Sequence, residues 1–117
     1  SRFVATKESS AHANFKQAIV AAKEGETQLT LKELAPVRLI KNQFFNELQE
    51  LYKQNPTVEE IRELLGRARA KKGMFEGDLD NGELEIGQIS GLIHKVVSAK
   101  EVIDEMIAEY ESVKANF

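Results

Sequence analysis

The stretch Gly73-Met74-Phe75-Glu76-Gly77-Asp78-Leu79-Asp80-Asn81-Gly82-Glu83-Leu84-Glu85-Ile86-Gly87-Gln88-Ile89-Ser90-Gly91 holds five of the seven glycines in the chain. Glycine at this density marks a segment that must turn sharply or pass close to another group, since the missing side chain permits both. Asp80-Asn81-Gly82 reads as a tight turn. The carboxylates around it do not make a calcium loop. With Gly82 as the loop glycine, Gly77 and Leu79 fall where carboxylates are required, and Gln88 stands where the bidentate glutamate belongs. At the end of the stretch, Gly87-Gln88-Ile89-Ser90-Gly91 places small residues and free amides at a helix start. That arrangement suits an anion or ligand, although on spacing alone a tightly packed turn is the better explanation.

Working outward, the flanking segments read as helices. Ser98-Ala99-Lys100-Glu101 has the spacing of a capping box and opens a final helix whose apolar side carries Val102, Ile103, Met106, Ile107, Tyr110 and Val113. On the other side, Thr57 and Glu60 make a second capping box before Ile61, Leu64 and Leu65, closed by Gly66. Between Arg38 and Tyr52, the residues Ile40, Phe44, Phe45, Leu48 and Leu51 recur at helical spacing, and Asn55-Pro56 ends the pattern. A first helix over roughly 11 to 24 buries Phe15, Ala18, Ile19 and Ala22, with Ser9-Ser10 before it and Gly25 after it. Arg2 to Ala5 reads as the end of a short strand. Thr27 to Leu34 alternates weakly and fits either an extended piece or a loop. The helices sum to more than half the chain, with no internal repeat, so this chain reads as mainly α.

Composition narrows the chemistry. The chain has 117 residues, 16 Lys and Arg against 19 Asp and Glu, and no Cys, which excludes disulfides, thiolate nucleophiles and Cys-based zinc sites. A formal net charge of −3 offers no general attraction to nucleic acid, and the basic run Arg67, Arg69, Lys71, Lys72 lacks interleaved aromatics and reads as solvated charge. No apolar run reaches the roughly 20 residues of a membrane span. His12 and His94, the two histidines, have no visible nucleophile to serve and read as structural or exposed. No Gly-x-Ser-x-Gly elbow or glycine-rich phosphate loop occurs. The chain therefore shows neither a catalytic residue nor a metal site of its own, and Ser1-Arg2-Phe3-Val4-Ala5 is no signal peptide.

Two segments taken together resemble a family. Ser1-Arg2-Phe3-Val4-Ala5-Thr6-Lys7-Glu8, with Ala11-His12 and Phe15-Lys16, is similar to the end of the last barrel strand and the following helix in FMN-dependent nitronate monooxygenases, formerly 2-nitropropane dioxygenases, and in the related flavin-containing enoyl-acyl-carrier-protein reductases. Glu76-Gly77-Asp78, Gly82 and Gly87-Gln88-Ile89-Ser90-Gly91-Leu92-Ile93 resemble the C-terminal pattern of the same family, with Ile86 where Ala is usual. The resemblance implies the helical C-terminal segment of a parent FMN-binding (β/α)8 barrel: residues 1–25 as the last strand end and its helix, and 26–117 as a helical extension or lid. It further implies FMN as cofactor, with Ser1 and Arg2 as flavin-phosphate contacts and Gly87 and Gln88 in the lid facing the flavin. The small-molecule substrate would be a nitronate, or alternatively an enoyl thioester, in a cytoplasmic enzyme without nucleic-acid or membrane partners. The catalytic residues would lie upstream of Ser1, so the isolated chain is expected to be inactive. The apolar sides of 11 to 24 and 99 to 113 are then expected to face the rest of the barrel, leaving the isolated chain free to form a homodimer. A free-standing helical interaction module, using Phe44, Phe45 and Tyr52 or the final helix, is the reading from a different class.

Overall fold

The computed structural model describes residues 1–117 and contains, in order, α1 (Ala13–Ala21), β1 (Thr27–Thr30), β2 (Val37–Ile40), α2 (Gln43–Tyr52), α3 (Val58–Leu65), α4 (Arg69–Met74), a 3₁₀ turn (Gln88–Leu92) and α5 (Ala99–Ala115). It is 47% helical, less than the more than half that the sequence pattern implies. No helix is long and apolar enough to cross a membrane.

The strand β2 organises the interior. Successive strand side chains point to opposite faces, so Leu39 enters one apolar cluster, with Leu31, Phe44, Leu48 and Ile61. Ile40 enters the other, with Ala5, Phe15, Ile19, Leu84, Ile86 and Ile93. β1 pairs antiparallel with β2, Thr27 opposite Ile40 and Thr30 opposite Val37. The extended piece left open in the sequence is thus a hairpin strand. The glycine-rich segment supplies a partner on the other edge of β2: the Ile40 N–H donates to the Leu84 carbonyl at 2.9 Å and the Ile86 N–H to the Arg38 carbonyl at 3.1 Å.

This pairing corrects the helix expected from Arg38 onward. Ile40 does fall on a helical period with Phe44 and Leu48, but its amide is claimed by Leu84, far along the chain. The helix starts after Asn42, whose Oδ1 accepts the Phe45 N–H at 3.0 Å. Of the two capping boxes read in the sequence, one forms in full and one in half. Thr57 and Glu60 form a reciprocal capping box on α3, and Ser98 caps α5 through the Glu101 amide. The first helix is shorter than 11 to 24, and its cap is His12. α4 is an addition that the sequence pattern does not announce, because Ala68 enters it left-handed, at φ +58°, without a side-chain cap.

Glycine is indispensable where α4 crosses the Asp78–Gly82 turn. A Cβ on Gly82 would overlap the Gly73 Cα and stand 2.5 Å from the Asp78 carbonyl oxygen, while one on Gly73 would stand 2.5 Å from a Leu84 methyl. Two polar side chains tie the crossing to the helices. The Asn42 amide donates to the Leu79 and Gly82 carbonyls at 2.9 and 2.8 Å. Arg69 donates to the Leu64, Leu65 and Asn81 carbonyls, all within 2.8 Å, and lies over the Phe44 ring. Arg69 is therefore a structural bolt and not solvated charge, whereas Arg67, Lys71 and Lys72 are exposed.

The apolar side of α1 is satisfied within the chain, with Phe15 and Ile19 fully buried, which corrects the expectation that it awaits a barrel wall. α5 behaves as expected. Only Val102 is buried, and Ile103, Ile107, Tyr110 and Val113 face outward. The projecting helix raises the radius of gyration to 16.5 Å, against about 13 Å for a compact domain of this length.

Gly82→Ala is expected to destabilise the chain by about 3 kcal/mol or more, since backbone and not a flexible side chain meets the new methyl. Gly66 has φ +65° and ψ −160°, a region essentially reserved for glycine, but nothing within 4 Å of an added Cβ, so Gly66→Ala should cost about 1 to 3 kcal/mol of backbone strain, less than Gly82→Ala. Urea titration of both variants measures this order, and equal losses would contradict the crossing.

Candidate functional site

Residues 1–5 form a single helical turn, not the strand end that the sequence suggests. The Ala5 N–H donates to the Ser1 carbonyl at 3.3 Å, and the Thr6 hydroxyl donates to the Phe3 carbonyl at 2.7 Å. In such a turn the leading amides have no intrahelical acceptor. The N–H groups of Arg2, Phe3 and Val4 accordingly donate to no group of the protein. Beyond the turn the chain is anchored: Thr6 bridges Val97 in parallel, and the Lys7 N–H donates to the Val97 carbonyl at 2.8 Å. The Glu8 carboxylate accepts the Ala99 N–H at 2.9 Å, adding a second stop to the start of α5.

Gly87 comes to this turn from the far end of the sequence. A Cβ placed on it would lie 3.3 Å from the Ser1 hydroxyl oxygen, with no other atom within 4 Å. Gly87 and Gln88 are exposed, and Gln88 is the first residue of the 3₁₀ turn. The 3₁₀ turn is held against the end of α1, where a Cβ on Gly91 would sit 3.2 Å from the Glu24 amide nitrogen. The half-buried Ser1 and the exposed Gly87 and Gln88 are thus neighbours, in and beside a turn with three amides without acceptors. Ser90, two residues on, is fully buried, and its hydroxyl has no partner.

Arg2 behaves differently from the other three residues singled out in the sequence. Its guanidinium leaves the turn and reaches α5, donating to Glu105 Oε2 at 2.9 Å, with Glu109 Oε2 at 3.6 Å. These two carboxylates are invisible to motif reading, because nothing in the sequence links positions 105 and 109 to position 2. Their four-residue spacing on a helix is the only signal, and it shows a shared face without naming its partner. Between Arg2 and α5 lies a cleft of about 400 Å³, lined also by Ile89, Leu92, His94 and Lys95.

The remaining titratable groups serve the fold. His12 caps α1 by accepting the Asn14 N–H on Nδ1 at 3.0 Å, and its ring covers Gly77, where a Cβ would stand 2.5 Å away. His94 is exposed. The Asp78 carboxylate accepts the Asp80 and Asn81 amides at 3.2 and 3.0 Å. These bonds from the turn, led by Asn81, hold its pKa below the usual value. Glu83 starts the piece that pairs with β2. Burial, followed by the neighbouring Glu85 carboxyl, pushes its pKa up to about 7.

Residues 1–109 match the family model described as Nitronate monooxygenase. Among solved structures, the chain is similar to FabK from Thermotoga maritima, with TM-score 0.87, 31% identity, and coverage of 98% of this chain and 36% of that one. It is also similar to the M276A mutant of that FabK, with TM-score 0.77, 27% identity and coverage of 98% and 34%. The chain therefore spans about a third of the length of these structures. No curated protein matches it.

The raised Glu83 pKa has a pH consequence. A carboxyl that titrates higher in the folded chain contributes stability below its ordinary pKa, near 4.5, and loses that contribution as pH rises towards about 7. Glu33 is shifted the other way, downward, by its hydrogen bond from Tyr52; its contribution is present above the ordinary carboxylate range and is lost only as pH falls through it. Urea midpoints measured between about pH 5 and about pH 8 should fall for the wild type and flatten in Glu83→Gln. An unchanged slope in the variant would contradict the assignment to Glu83.

Proposed function

Because this chain belongs to the nitronate monooxygenase family, we propose that it is the C-terminal third of an FMN-dependent oxidoreductase built on a (β/α)8 barrel, and that its first turn holds the flavin phosphate. The observation that carries this reading is the set of three acceptorless amides at Arg2, Phe3 and Val4, in a turn whose first residue, Ser1, sets its hydroxyl against Gly87. Amides at the start of a helical turn form a natural anion site, and barrels of this kind commonly place a cofactor phosphate after the last strands. The residues fit the group: donors are present, the Ser1 hydroxyl adds one more, and at Gly87 no side chain intrudes.

Bound FMN would supply the electron transfer. The part played by this chain is to fix the phosphate end, to keep one wall of the site narrow at Gly87, and to present Gln88 as a neutral hydrogen-bonding group. Neither histidine is placed for proton transfer here, because His12 is committed to a cap and His94 is exposed along the cleft beside α5. The reacting groups belong to the remaining two thirds of the enzyme.

Nitronate oxidation is the first reading for the substrate, from the family itself. Reduction of an enoyl thioester is the second, favoured by the likeness to FabK, a flavin-containing enoyl-acyl-carrier-protein reductase. Oxygen uptake with a nitronate, set against thioester-dependent oxidation of a reduced nicotinamide, separates the two in the full-length enzyme. An enzyme of this family is expected to work as a water-soluble cytoplasmic protein.

The isolated chain is expected to bind FMN weakly and to turn over no nitronate, since a phosphate clamp is no substitute for a pocket around the flavin ring. In the full-length enzyme, Gly87→Val should crowd Ser1 and weaken flavin retention while the fold survives. Gln88→Ala should remove at most one hydrogen bond, about 0.5 to 3 kcal/mol, without moving the pH profile. Flavin occupancy, kcat and KM across pH measure both, and wild-type values in both variants would return this segment to simple packing.

A further inference from the structure

Arg2 sits in the middle of the proposed phosphate turn, yet its side chain is spent elsewhere. One guanidinium nitrogen donates to Glu105 at 2.9 Å and the other lies 3.6 Å from Glu109. The Arg2 side chain is only 28% exposed, and Glu105 is 44% exposed. With two carboxylates paired to it, the Arg2 guanidinium has its charge compensated and is not free to attract a phosphate. The main chain of the same residue, by contrast, carries one of the three amides without an acceptor. Side chain and backbone of Arg2 therefore face different tasks.

We propose that Arg2 is a latch that couples the seating of α5 to the shape of the phosphate turn, with Glu105 as the positioning residue, and that this chain holds the flavin phosphate through main-chain amides and the Ser1 hydroxyl and not through the Arg2 guanidinium. The turn has few other restraints: a single 3.3 Å hydrogen bond spans it, and the Thr6 hydroxyl closes its end. α5 is itself lightly attached, with Val102 its one buried residue. Arg2 with its two carboxylates and Glu8 on the Ala99 amide bind these two weakly held pieces to each other. Anything that seats or lifts α5 then alters how the amides of residues 2–4 point, and a bound phosphate in return stiffens α5. Such coupling is reciprocal by thermodynamic necessity.

This proposal rests on the cofactor reading above, and one titration distinguishes the two. Kd values for FMN and for riboflavin, which lacks the phosphate, are measured on full-length wild type, Arg2→Gln, Glu105→Gln and the double variant. Glu105 lies at the surface of α5, so its change leaves the fold intact even if Arg2→Gln proves unstable. The latch predicts that Glu105→Gln lowers the preference for FMN over riboflavin by about fivefold or more, and that the double variant is no worse than either single one. It also predicts that FMN slows amide exchange over 99–109 in the wild type and not in Glu105→Gln. If Arg2 contacts the phosphate directly, Glu105→Gln frees its charge and the preference for FMN stays or rises, which overturns the latch. An unaltered preference in every variant also overturns it. A wild type that does not distinguish FMN from riboflavin defeats the phosphate site itself, and the latch with it.

Discussion

Two backbones touch where Gly73 in α4 passes Gly82, where Gly82 has no room for even one methyl group and one on Gly73 would have to displace the Leu84 side chain. Much of the chain follows from that contact. It lays α4 across the Asp78–Gly82 turn, which brings the turn carbonyls of Leu79, Asn81 and Gly82 within reach of Asn42 and Arg69. It sets Glu83 where its amide donates to the Arg69 carbonyl, so that Leu84 and Ile86 enter the ladder with β2 in one register. A shift of one residue would move Leu84 and Ile86 from the core to the opposite face. Gly87 follows immediately, and its place beside Ser1 is inherited from that register.

The polar ties around the crossing work by specifying position more than by adding stability. A net hydrogen bond is worth about 1 kcal/mol, whereas a buried carbonyl left without a donor costs more than that. Arg69 answers the Leu64 and Leu65 carbonyls, which belong to the end of α3 and have no acceptable helical donor beyond Gly66. Its guanidinium also rests 4.4 Å above the Phe44 ring, joining α2, α3 and the turn through one side chain. Lysine at this position could not do the same, because its single ammonium has no planar fork.

What could be read from the sequence was what is local. The capping box at Thr57 and the cap at Ser98 declare helix starts because their partners stand three residues away. The helix placed from Arg38 begins late because the partner of Ile40 is Leu84, and no periodicity within residues 38–52 can contain that information. α4 went unannounced because its entry depends on left-handed Ala68 and on Arg69 bonds that reach the carbonyl of Asn81 as well as those of Leu64 and Leu65. The glycine-rich stretch was legible as a place of close approach but not as to what approaches: Gly73 and Gly82 meet each other, Gly77 meets His12, and Gly87 meets Ser1. The resemblance to flavin enzymes singled out Ser1, Arg2, Gly87 and Gln88 together, and the fold brings Ser1 to Gly87 while it sends the Arg2 side chain to α5. The Glu105 and Glu109 partners of Arg2 had no trace in any motif.

The exposed side of α5 and the solitary first turn both belong to a molecule that spans about a third of its structural relatives. The most direct test of the central claim, that the first turn is where a flavin phosphate is held, is the amide NMR spectrum of the full-length protein titrated with FMN and with riboflavin. Shifts in the Arg2, Phe3 and Val4 amides that appear with FMN and are absent with riboflavin are the expected result. Phosphate-dependent shifts confined to other residues, such as His94 and Lys95 in the cleft beside α5, would contradict it.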